Sequence, residues 1–288
     1  MSFRTVTSLV PGSPTQDGNR VPLVRLVPGA GQRGTEAFRA MDPFLLLDHF
    51  GPLTLPPGTD AGFPPHPHRG FQTLTYLLQG AFRHRDSTGG SGLLRPGGAQ
   101  LMTAGSGLVH EEMPVPEQLE AGGPIEGVQL WINLPRSHKG VAPGFRDYQP
   151  EALPWRPLPG GRLRVLAGTW AGTTGPVETP ARIAYAHLEL EPGGRFEHPL
   201  PAGWMAAVAL LHGAVQVGGV LGPADHVARL DRVGDGLGLG TADGASVLLL
   251  AGAPLEEPIV HYGPFVMNTA EEIDQALLDY AEGRMGKL

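Results

Sequence analysis

The chain has 288 residues, room for one large domain or two ordinary ones, with 41% hydrophobic and 17% charged residues and a formal charge of −7. A nucleic-acid binder concentrates Lys and Arg to neutralise phosphates, and no basic cluster is present, which argues against direct contact with DNA or RNA. No apolar run approaches the ~20 residues of a membrane span, residues 1–6 lack the apolar core of a signal peptide, and the absence of cysteine removes disulfides, thiolate ligands and a Cys nucleophile, so the cytoplasm is the expected compartment. The 43 Gly and 30 Pro punctuate short apolar runs rather than forming tracts, a pattern of many short strands joined by tight turns.

In chain order, 72–78 reads as a strand ended by Gln79-Gly80. A strand over 81–85 is ended by the glycine-rich 88–92, one over 93–95 by Pro96-Gly97-Gly98, and one over 100–103 by 104–107. Residues 127–133 alternate apolar and polar and predict another. Spacing of this kind predicts an all-β sandwich or barrel. Residues 134 to about 159 are rich in Pro and short of periodicity. The pattern then resumes over 162–166, 183–190, 205–211, 214–217 and 246–250. Only the far end reads as helical. Asn268-Thr269 before Glu271 and Glu272 resembles an N-terminal cap, and Ile273, Ala276, Leu277 and Tyr280 recur at helical spacing until Gly283. The expected division is a first lobe over 1–134, a connecting segment over 135–159, and a second lobe over 160–288 that ends in the helix. Thr75–Ala81 resembles Ala209–Ala214, an internal repeat with an offset of 133 between Gly80 and Gly213. That offset maps His66, His68 and His110 onto Pro199, Pro201 and Asp243, so only the first lobe has metal-binding chemistry to offer.

His66-Pro67-His68 places two imidazoles at i and i+2, which face the same way on an extended strand. His110-Glu111-Glu112 repeats that geometry with a His and a carboxylate. Two such strands facing into one barrel would converge three imidazoles and Glu112 on one point, with Glu111 on the opposite face. Imidazole and carboxylate suit Fe, Mn, Co, Ni, Cu or Zn alike. Four protein ligands leave a position open on a five- or six-coordinate metal, which is what catalysis requires. A lone His-X-His is common by chance. A second pair 42 positions after His68 makes the metal reading the stronger one.

The stretches 65–80 and 102–114, together with 42–50 and 263–269, resemble the signatures of the pirin family and span nearly the whole chain. The resemblance implies an all-β bicupin: two stacked cupin barrels of jelly-roll type with a short C-terminal helix, and a single metal in the N-terminal barrel. It maps the metal ligands onto His66, His68, His110 and Glu112. Fe(II) is the expected cofactor, with Mn, Ni, Co, Cu and Zn open to the same ligands. The broader cupin glutamate falls at Gln72, which as a neutral amide is expected to hydrogen-bond near the site and to have ceded its place to Glu112. Phe71, Tyr76 and Trp131 are core residues by type and candidates to line the pocket. His198 stands beside Pro199 without partners, and His84, His138 and His212 have no ligand spacing and read as solvated or structural. Adjacent Asp48 and His49 face opposite ways on a strand. The glycines of 234–240 lack a phosphate loop's strand-to-helix setting.

The resemblance implies two classes of function. In one the chain is a quercetin 2,3-dioxygenase-type oxidoreductase taking O2 and a small flavonol or related phenol, with Glu112 as ligand and general base. In the other it is a metal-containing, non-enzymatic transcriptional co-regulator that contacts a protein partner. A monomer is expected in either case.

Overall fold

The computed structural model describes residues 1–32 and 34–288. Antiparallel strands joined by tight turns form two stacked barrels, as the turn chemistry and alternation predict. The first barrel has two sheets. Its seven-stranded sheet runs, in spatial order, Gly144–Tyr148, Ala99–Thr103, Phe71–Gln79, Gly123–Asn133, Phe44–Leu55, Val21–Val27 and Ser13–Asp17. Its four-stranded sheet runs Phe63–His68, Leu108–Pro114, Phe82–Asp86 and Ser91–Leu94. The second lobe is built on a ten-stranded sheet whose central strands are His226–Leu230, Met205–Val217, Ala245–Gly252, Ile183–Leu190 and Gly161–Ala167.

The two-residue period of a strand gives each face of the seven-stranded sheet its own job. Leu74, Tyr76, Val128, Leu130 and Ile132 pack against Tyr185, Ala207, Ala209, Leu248 and Leu250 of the second lobe in one buried cluster. The alternate residues Phe71, Thr75, Gln129 and Trp131 face the inside of the first barrel, where they meet one another and Glu112. Inside the second barrel, Phe196, Val208, Leu210, Val215, Leu237 and Leu239 fill the space with apolar side chains.

Chain order does not sort the strands by lobe. Val6–Pro11, near the N-terminus, pairs with His226–Leu230 of the second lobe. Arg4, just before it, buries its guanidinium there, donating to the carbonyls of Pro201 and Trp204. The C-terminal segment makes the opposite crossing, with Phe265, Met267, Ile273 and Ala276 packing on Val109 of the first lobe. Both termini therefore cross the division expected at 134 and 160. The expected connecting segment is itself strand at both ends, Gly144–Tyr148 extending the first sheet and Arg156–Leu158 the second.

The C-terminal helix, Ala270–Ala281, starts as the sequence predicts. Thr269 Oγ1 accepts from the Glu272 amide, and Glu272 Oε2 accepts from the Thr269 amide. Ile273 and Ala276 bury, while Leu277 and Tyr280 lie exposed. Two further short helices, Gly34–Met41 and Pro116–Ala121, correct the expectation that only the far end is helical. Each is shorter than the window of roughly 11 residues over which a helical period can be read. Among the described residues no helix is long and apolar enough to cross a membrane.

Candidate metal centre

Phe63–His68 runs antiparallel to Leu108–Pro114 with His66 directly opposite His110. His68 is two residues from His66 and so falls on the same face. The three rings converge, with centroids 4.4 Å apart for His66 and His110, 4.7 Å for His66 and His68, and 5.0 Å for His68 and His110. One ring nitrogen from each lies within 4.8 Å of the other two. The structure thus brings together the three histidines that the i, i+2 spacing singles out.

Their surroundings suit a cation. His110 is fully buried and neither of its ring nitrogens has a hydrogen-bond partner in the protein, a state that costs free energy unless something accepts the ring. Burial, reinforced by the charge of His66, holds protonation of both His68 and His110 well below the ordinary histidine range. Neutral imidazole is the form that ligates metal. The outer nitrogens of the other two rings are anchored: His66 Nδ1 lies 2.7 Å from the Pro64 carbonyl oxygen and His68 Nδ1 3.4 Å from that of Pro264. Such anchors fix which nitrogen faces the metal. This donor set fits one divalent transition metal.

Glu112 is placed less simply. A register shift separates it from His110 in the pairing with Phe63–His68. It faces the same cavity but stands apart from the imidazole triad. Its Oε1 accepts from Thr75 Oγ1 at 2.9 Å and its Oε2 from Gln129 Nε2 at 2.8 Å. Glu111 turns the other way, as alternation requires, and pairs with Arg85 Nε at 2.6 Å.

Of the expected pocket residues, Trp131 lines the cavity and Phe71 stacks on it, centroids 4.2 Å apart, both rings lying against His68. Gln72 and Tyr76 are corrections. Each is an odd number of positions from Thr75, so each faces away from the cavity. Gln72 donates to Thr103 Oγ1 at 2.8 Å. Tyr76 points into the seam between the lobes, its hydroxyl 3.0 Å from His187 Nδ1 and accepting from Arg164, and burial pushes it up to about 12.

His84 is the site residue the sequence reading missed. It is buried, its ring centroid 5.3 Å from that of His110 and its Nε2 3.2 Å from Asp86 Oδ2. The pair sits opposite Glu112 and His110 on the neighbouring strand. His84-Arg85-Asp86 repeats the very i, i+2 spacing that singled out the other pairs, so the signal was present. Desolvation would raise the Asp86 carboxyl, but hydrogen bonds from Thr88, His84 and Gly90 outweigh it and hold it below its ordinary range.

The cavity beside the triad has a volume of about 490 Å³, within the ~300–1,000 Å³ of small-molecule sites. Its walls are largely apolar and aromatic, including Leu23, Phe38, Phe50, Phe63 and Trp131. Arg25 and Asp48 also line it, joined in a two-pronged ion pair of 2.9 and 2.8 Å.

Residues 26–132 match the pirin family profile, and residues 185–286 match the pirin C-terminal cupin domain. A Pseudomonas aeruginosa protein provisionally named a quercetin 2,3-dioxygenase is 45% identical over 290 residues, covering 98% of each chain. A pirin-like protein of Caulobacter vibrioides is 41% identical over 293 residues, 99% of this chain and 100% of the relative. Among solved structures, the crystal structure of quercetin 2,3-dioxygenase from Acinetobacter baumannii superposes with a TM-score of 0.93 at 35% identity and covers 99% of both chains. With two stacked cupin barrels, a histidine triad in the first, and likeness along nearly its whole length, this chain belongs to the pirin family.

Proposed function

We propose that the protein is a metal-dependent dioxygenase that opens the ring of flavonols such as quercetin, using O2. In this reading His66, His68, His110 and Glu112 hold the metal, with Fe(II) as the native ion. The observation that carries it is the convergence of three imidazoles, with His68 and His110 held neutral by burial and His66 and His68 anchored by backbone carbonyls, beside a 490 Å³ cavity of aromatic and apolar walls that a carboxylate also faces. The activity named for the Acinetobacter baumannii enzyme supports the same substrate class. When bound, the metal supplies Lewis acidity and an open coordination position. The chain's residues do the rest. Trp131, Phe50 and Phe63 offer flat apolar surface to a planar ring system and exclude water. Glu112 takes the proton of the flavonol 3-hydroxyl at a carboxylate oxygen, while Thr75 and Gln129 keep that carboxylate aimed at the cavity. The Arg25–Asp48 pair presents polar groups to the outlying phenolic hydroxyls.

The test is aerobic incubation of protein loaded with iron, manganese or nickel with quercetin. Loss of the flavonol absorbance together with release of carbon monoxide, both abolished by chelator, is the expected result. Full metal occupancy without turnover for any of the three would sink the enzyme reading and leave a non-enzymatic, partner-binding role for the same site.

A further inference from the structure

The two lobes meet at a second group of metal-donor side chains that the proposed reaction does not use. His49 lies on Phe44–Leu55 and Glu126 on the adjacent strand Gly123–Asn133, both in the first lobe. His212 lies on Met205–Val217 in the second. Strand register shifts at Glu126 against both of its neighbours, and a bulge of this kind re-aims a side chain. Glu126 is re-aimed at the seam. Its Oε1 lies 3.1 Å from His49 Nε2 and 2.6 Å from His212 Nε2, and the three donor atoms all fall within 4.8 Å of one another. The remaining carboxylate oxygen accepts from Gln79 Nε2 at 3.1 Å, which fixes the carboxylate plane.

Three further features suit a bound cation. His49 is 2% exposed and its Nδ1 has no hydrogen-bond partner, the nearest acid being Asp225 with Oδ1 at 3.7 Å. Desolvation pushes the Glu126 carboxyl up, but hydrogen bonds from His212 and His49 outweigh it and set it at about 2, so the group is an anion under ordinary conditions. His212 is half-exposed, and with Glu126 it lines an interlobe cavity of about 400 Å³ through which an ion and its water can enter. A tetrahedral cation with bonds of ~2.0–2.1 Å separates its donors by about 3.3 Å, a spacing near the observed 3.1 and 2.6 Å from Glu126 Oε1, and the two imidazole nitrogens lie within 4.8 Å of each other.

We propose that His49, Glu126 and His212 form a second metal site, between the lobes, for one borderline divalent transition cation such as Zn(II) or Co(II). Two imidazoles and one carboxylate are the donors, and water from the cleft completes the coordination. The cation clasps the lobes, since its ligands come from both. This site is independent of the function proposed for the first.

The test is a titration of chelator-stripped protein with Co(II), read by visible d–d absorption and by metal content after gel filtration. Wild-type protein should take up two equivalents. His66→Ala with His110→Ala should remove one, and His212→Ala the other. His212 is half-exposed, and an unchanged metal-free melting temperature would verify that the variant folds. Its loss should weaken the second equivalent by more than the ~10–100-fold that a lost hydrogen-bond partner of a ligand costs. In the His66→Ala, His110→Ala background, Co(II) should still raise the melting temperature, and adding His212→Ala should abolish that rise. A single equivalent in the wild type, or a second one indifferent to His212→Ala, would overturn the proposal and leave the cluster a hydrogen-bonded contact between the lobes.

Discussion

At Glu112 one side chain carries two proposed roles, ligand and base, and its neighbours allow the two to be separated. Glu112→Gln keeps the size and one oxygen donor but removes the charge and most of the basicity. Three imidazoles remain, so metal affinity should fall moderately. Turnover should fall further, by the ~10²–10⁴-fold that general-base catalysis contributes. The control is Glu111→Gln, which weakens the outer-face pair with the solvent-exposed Arg85 and should change neither quantity much. The opposite result, metal lost with Glu111→Gln and retained with Glu112→Gln, would overturn the strand register that turns Glu112 towards the cavity. At this scale the sequence was informative wherever spacing within one strand sufficed. It marked His66, His68 and His110, and it held the same mark for His84 and Asp86. Thr75 and Gln129, which hold the Glu112 carboxylate, reach it from other strands, and no local pattern announces them.

The C-terminal helix is pinned beside the site by one carboxylate. Asp279 accepts from Arg69, which directly follows His68, and from Gln275 and Arg284, each at 2.7 Å. Desolvation would raise the Asp279 carboxyl, yet these three donors outweigh it and bring it from 3.8 to about 2. A carboxyl depressed in the folded state adds stability that is fully present above the unfolded value and is lost as pH falls through the folded one. Docking of Ala270–Ala281 should therefore weaken as pH drops from 3.8 towards about 2. Hydrogen exchange of the helix amides is the check. Asp279→Asn should lower their protection at neutral pH and remove the acid-dependent part of its decline. Protection that falls just as steeply in the variant would show that another group controls the docking. The helix itself was legible, because its cap and its period are local. Its placement against Val109 was not, because nothing within the segment names its partner.

Over the whole molecule the termini trade lobes, and the C-terminal crossing reaches the metal centre. The Pro264 carbonyl anchors His68, and Lys139, buried, donates from Nζ to the carbonyls of Gly70 and Val266 and to Asn133 Oδ1. Truncation after Pro258 leaves all four proposed ligands in the chain but removes that anchor and one Lys139 acceptor. Metal affinity should fall by ~10-fold or more, measured by competition with a chelator. Lys139→Met tests the same strap without shortening the chain. It strands three buried acceptors, at about 1–3 kcal/mol each for those that water does not reach, so the melting temperature and metal affinity should fall together. Metal affinity unchanged in both variants would show that the first barrel orients its histidines unaided.

What the sequence determined by itself was whatever is written over a few neighbouring residues: the strands and their turns, the capped helix, and two His-bearing strands each with one face to offer. Turn chemistry and the two-residue period act through adjacent backbone, so composition and spacing suffice to read them. The tertiary structure alone decided which faces meet. It turned Tyr76 and Gln72 away from the cavity and gave each terminus to the opposite lobe. It also joined His68 to Pro264 across 196 positions and Glu126 to His212 across 86. Contacts over such separations arise from the packing of one sheet against another, which rewards buried apolar area and leaves no periodic trace at the polar residues it brings together.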